Sequence, residues 1–193
     1  GPSEANSQIR LSYSPLTVAS ATWTSRTLMA QAGIDFHVPC LNSDEMNFAS
    51  YRLYVVAAGA TGTRSDIWFT RSTTYGSTWE SAYALTTASS TIYYTRPTVC
   101  YGRAGAVHCA WELLNGTSYD GAVRYRRALN YAGAGLADWE AIHYLTATSD
   151  GYDEWNVTLA ASHSGNSVVL GYMRSSGVYG YDPALHSSAD AGV

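Results

Sequence analysis

The feature that most constrains this chain is a tryptophan that returns. Trp23, Trp79 and Trp139 stand 56 and 60 residues apart. A period of that length is longer than most solenoid repeats and suits a unit of four short strands. The best-formed copy of the motif is Ser72-Thr73-Thr74-Tyr75-Gly76-Ser77-Thr78-Trp79. Residues 65–71 before it have the β-branched and aromatic content of a strand, and residues 79–85 after it alternate apolar and polar with period two. The small residues between them predict a hairpin turn. Gly76 supplies the positive φ, the hydroxyls bond turn amides, and Trp79 packs beneath.

Taken in order, the chain repeats this pattern. Residues 9–14 read as a strand, followed by a degenerate turn up to Trp23, two residues longer and without the glycine, and a second strand up to Met29. Residues 36–41 and 51–58 form a pair of apolar strands joined by a polar loop. The same pair recurs at 95–101 and 106–112. Residues 123–128 then lead into a looser turn around Asn130, Gly133 and Trp139, and a third pair follows at 157–161 and 167–173. Residues 185–192 restore Ser-x-Asp-x-Gly. No stretch has a helical period.

Composition fits one domain of moderate size with a broad core: of 193 residues, 46% are hydrophobic and only 13% charged. Eleven arginines and no lysine are scattered through a chain of net charge −4, which provides no basic stripe for nucleic acid. No apolar run approaches 18 residues, so no membrane-spanning segment is expected. Gly1-Pro2 reads as a protease-cleavage scar and residues 1–8 as a tail; a secreted or extracellular location is expected. His37, His108, His143, His163 and His186 show no metal-ligand or Ser-His-Asp spacing, and no metal or cofactor is expected. Asn115-Gly116-Thr117 and Asn156-Val157-Thr158 fit the glycosylation pattern. Cys100 and Cys109 flank a glycine-containing turn and are a candidate disulfide, the alternative being two small buried residues.

The turn at Ser72 resembles the Asp box of sialidase-type β-propellers, Ser-x-Asp-x-Gly-x-Thr-Trp, also called the BNR repeat. Ser72, Gly76, Thr78 and Trp79 match, and Thr74 stands in the place of the aspartate. In that family the box joins the third strand of a blade to the outer fourth one and is a folding element away from the ligand site. The resemblance therefore implies a partial sialidase-like β-propeller over 9–193: all-β, four-stranded antiparallel blades at about 34–86 and 94–146, part-blades at both ends, and Trp23 and Trp139 as further box residues. About three blade equivalents make half of a six-bladed ring, which implies a homodimer or a second, propeller-completing chain.

Ligands of propellers usually bind at the central funnel, on loops leading into the innermost strands. That logic selects Asp35, His37, Tyr94, Arg96, Asp153, Glu154 and Trp155, whose carboxylates, guanidinium and rings suit a glycan or protein ligand. Sialidase catalysis needs an arginine cluster, a tyrosine nucleophile activated by a glutamate and an aspartate acid/base. The family's Arg-Ile-Pro is absent, Arg96-Pro97 being a faint echo, and Arg124 and Arg174 are expected on strand faces away from the funnel. The implied function is a carbohydrate- or protein-binding module without its own catalytic activity. The alternative is a glycoside hydrolase whose site is completed by another chain or by missing sequence.

Overall fold

The computed structural model describes residues 7–13, 23–44, 51–102, 105–116, 121–133, 135–147, 152–162, 167–175 and 182–188. Thirteen strands and two 3-10 turns make up the regular structure of those residues. Strands β1 (Ile9–Tyr13) and β2 (Thr24–Met29) form an antiparallel pair. A first meander follows in β3 (Asp35–Ser43), β4 (Leu53–Thr61), β5 (Arg64–Ser72) and β6 (Tyr83–Ala84), each strand antiparallel to the last. The second meander repeats it in β7 (Ile92–Tyr101), β8 (Val107–Asn115), β9 (Gly121–Ala128) and β10 (His143–Tyr144). A third has three described strands, β11 (Asp153–Ala161), β12 (Val168–Ser175) and β13 (Asp182–Ser188). One parallel bridge, Ser65 to Tyr93, joins the first two meanders into an eight-stranded sheet. The protein is all-β and antiparallel, as its alternation predicts.

The meanders stack face to face, because side chains alternate across each strand and both faces of the middle sheets are apolar. Tyr54, Val56, Ile67, Phe69 and Leu85 of the first meander bury against Val99, Val107, Cys109, Trp111 and Trp139 of the second. The opposite face of the second meander, with Cys100, Ala110, Val123 and Tyr125, packs on Leu159, Val168, Leu170 and Tyr172 of the third. Ile9 and Met29 of the β1–β2 pair cover Phe36, Val55 and Ala57 on the outer face of the first.

The tryptophan period is a true structural repeat. Glu80 and Glu140 each donate a backbone N–H to Arg71 or Arg127, 2.8–3.0 Å away, and pair through their carboxylates with the same arginines. Thr86 and Thr146 each accept the N–H of Ile67 or Val123 on the hydroxyl oxygen, 2.9–3.0 Å away. The outer strands are shorter than the alternation predicts. Residues 79–85 pair as a ladder only over Tyr83–Ala84, since the Thr86 hydroxyl takes the Ile67 amide that a longer β6 would bond.

Every first strand carries the same irregularity. The registers of β3, β7 and β11 slip between His37 and Cys40, Thr95 and Thr98, and Trp155 and Thr158. Within each slip one non-glycine residue takes positive φ: Val38 at 50°, Arg96 at 44° and Asn156 at 54°. Such bulges bend a strand and re-aim its side chains, and a β-branched valine in this conformation is strained.

Cys100 and Cys109 do not form the candidate disulfide. Cys100 pairs in register with His108 and Val99 with Cys109, so the two thiols project from opposite faces of the sheet, one into each core, and both are free. Burial pushes the Cys100 thiol up to about 12. The proposed turn at 14–22, the last residues of 185–192 and His163 lie outside the described residues, while 185–188 belong to β13.

Candidate functional site

The box-like turn is closed by its own side chains. The Ser72 hydroxyl accepts from the amides of Thr74 and Gly76, at 3.2 and 2.9 Å, and Thr74 Oγ1 accepts from the Thr78 amide at 2.8 Å. Trp79 Nε1 donates to the Gly76 carbonyl at 3.1 Å, and Gly76 holds φ at 82°. Trp79 is half-buried against the β1–β2 core and Trp139 is buried between the first two meanders, but Trp23 is 65% exposed.

The residues expected at a ligand site divide into two groups. Asp35 and His37 bond away from the seam between the second and third meanders: Asp35 Oδ1 accepts the amide of Ser7, which precedes β1, and His37 Nδ1 lies 3.2 Å from the Asp35 carbonyl. Tyr94 turns into the first core, edge-on to Trp111, and burial raises its phenol. Of the remaining four, Arg96, Asp153 and Glu154 gather along that seam. Asp153 Oδ1 accepts the Gly121 amide at 2.9 Å, and a side chain at Gly121 has no space, since a Cβ there would lie 2.4 Å from that oxygen. Glu154 is fully buried, its Oε2 accepting from Thr146 Oγ1 at 3.0 Å and its Oε1 paired with Arg174 Nε at 3.1 Å. Trp155 is half-buried on the other face of β11.

Arg96 sits at the bulge of β7 and donates to Glu112 Oε2 at 2.8 Å, with its side chain 45% exposed. The other Glu112 oxygen accepts the backbone N–H of Asn156, at the bulge of β11. Glu112 is therefore a buried clamp joining two repeat-equivalent bulges across the seam. Burial raises its carboxyl above the usual range, and the Arg96 guanidinium pulls the other way.

The sequence did not single out Glu112, although the alternation His108-Ala110-Glu112 marks one polar face of β8. Arg124 and Arg174, expected on strand faces, lie within β9 and β12 and bond along this seam. Arg124 is buried, donates to the Thr146 carbonyl at 2.7 Å and lies over the Tyr144 ring at 4.6 Å. Arg174 stacks on Tyr152 at 3.7 Å from the ring centre. The groups that reach solvent here are guanidinium edges and aromatic rings: Arg96, Arg174 (side chain 36% exposed) and Tyr152. The carboxylates behind them are occupied. Among the described residues no cluster of three or more His, Cys, Asp or Glu could hold a metal.

Comparison with protein-family models and with curated proteins finds no match to this chain.

Proposed function

We propose that the chain is part of a sialidase-type β-propeller that binds a glycan through a sugar carboxylate without hydrolysing it. Two features support the propeller: the stacked four-stranded meanders, and a turn wired as an Asp box in which Thr74 replaces the aspartate. The observation that carries the binding reading is the half-exposed Arg174 guanidinium stacked on Tyr152 in front of buried Glu154, with half-exposed Arg96 on the adjoining strand. Guanidinium suits a carboxylate and an aromatic face suits a sugar ring.

Catalysis fits the same groups poorly. A tyrosine nucleophile needs activation by a base, whereas burial raises the Tyr94 phenol. Glu112 is bonded to Arg96 and Asn156, and Glu154 is bonded to Thr146 and ion-paired with Arg174, so both fully buried carboxylates face protein partners rather than a substrate. The test is a glycan array beside a panel of fluorogenic glycosides. Binding of carboxylated glycans, lost in Arg96→Ala/Arg174→Ala, with no glycoside turned over, is the expected outcome. Turnover on any glycoside establishes the hydrolase instead, and retention only on protein ligands moves the function to peptide recognition.

A further inference from the structure

A cavity of about 170 Å³ opens between the second and third meanders, lined by Tyr125, His143, Leu145, Val168, Leu170 and Ser188 among others. Its walls have exact counterparts one repeat earlier. By register and repeat spacing, these six positions correspond to Phe69, Tyr83, Leu85, Val107, Cys109 and Ala128. All six of those residues belong to, or pack against, the first core cluster that holds Trp139. Trp139 stands edge-on to Phe69 at 5.2 Å and donates its indole N–H to the Tyr83 hydroxyl at 2.9 Å. Among the described residues the cavity is thus the counterpart of the Trp139 seat with no tryptophan in it.

The rule that fills such seats runs in one direction. Trp139 of the second meander packs against the first, and Trp79 of the first packs against the β1–β2 pair. Trp23, which precedes β2 as Trp79 precedes β6, has the same assignment toward whatever lies before β1–β2, and it is 65% exposed. Among its described residues, one chain therefore carries an unfilled seat beside its third meander and an exposed tryptophan beside its first pair of strands.

We infer that a second copy of this chain supplies the missing side chain: Trp23 of each protomer enters the Tyr125–His143–Leu145 cavity of the other. The assembly is then two-fold and isologous, each chain giving one tryptophan and accepting one. The His143 ring stands where Tyr83 stands and offers a nitrogen to the incoming indole N–H. Exposed apolar side chains flank both elements that this brings together. Val169 and Leu185 of the third meander are 43% and 75% exposed, and Val38 and Leu41 of β3, beside the β1–β2 pair, are 44% and 50% exposed. In the described residues β13 also has no fourth strand, whereas β5 and β9 each have one.

Sedimentation equilibrium of the whole chain tests the inference, with Trp23→Ala, whose side chain is exposed in the single chain and whose loss leaves the fold intact. The wild type is expected at twice 20.8 kDa, and the variant to dissociate at least tenfold more readily with an unchanged circular dichroism spectrum. A wild type that stays monomeric, or a dimer indifferent to Trp23→Ala, overturns it. As a second measurement, Trp23→Cys protein is mixed with His143→Cys protein under mild oxidation. A disulfide-linked species of doubled mass that needs both variants supports the seat, and its absence contradicts it.

Discussion

The two seams of this molecule are built on one plan and filled differently. Between the first and second meanders, Tyr54, Val56 and Ala58 face the neighbour and Trp139 closes the outer part. At the corresponding positions of β8 the second meander presents His108, Ala110 and Glu112 to the third, and the outer part holds a cavity. The same backbone repeat thus supports an apolar seam that holds itself together and a polar one that depends on specific pairs. Buried polar groups are costly without a partner, and here His108 Nδ1 has the Tyr125 hydroxyl at 2.6 Å, although its Nε2 is buried with no hydrogen-bond partner among the described residues, while Glu112 has Arg96 and Asn156. The polar seam is where the proposed ligand and the proposed partner both fall.

The comparison is broken most sharply by emptying the filled seat. Trp139→Ala should cost about 3–5 kcal/mol in chemical denaturation, since a buried indole leaves a cavity among rigid neighbours. Trp79→Ala should cost less, because that ring is only half-buried.

Acid should act through the polar seam. Burial lowers His108 to about 4, against an ordinary value of 6.5. The unfolded chain therefore binds a proton between those values that the folded one refuses, so stability rises with pH across that window, by up to about 3 kcal/mol. His108→Gln should flatten that rise in melts taken from pH 4 to 7. Glu112 works in the opposite sense. Its raised carboxyl means that the folded form holds a proton longer, so its contribution falls as pH rises above the ordinary value of 4.5, and Glu112→Gln should remove that fall.

Smaller effects sharpen the contrast. Gly121→Ala pushes a methyl group onto Asp153 and the Glu154 backbone, and should destabilise by about 1–3 kcal/mol while loosening the third meander first. Limited proteolysis would show cleavage within 152–188 before any in the first two meanders. Trp23→Ala should change the stability of the dilute chain by no more than about 0.5 kcal/mol.

The sequence displayed the repeat more clearly than the site. Trp79 and Trp139 carry their phase with them, as do Glu80 and Glu140, because each turn is closed by residues within a few positions. The bulges were half legible: proline follows Val38 and Arg96, but valine follows Asn156, and a slip in register is a property of two paired strands. Arg96 and Glu154 could be found from their place near strand starts. Glu112 could not, because its partner amide lies 44 residues away on another meander. Its role shows only when the seam is assembled. The shortness of β6 and β10 was hidden for a similar reason, since alternation records which face is buried and not whether the edge is hydrogen-bonded.

Hydrogen exchange at two protein concentrations tests the unequal seams most directly. At high dilution the amides of β12 and β13 should exchange at least tenfold faster than their counterparts in β8 and β9, and raising the concentration should slow the first set and leave the second unchanged. Equal protection of both seams at every concentration would contradict the account.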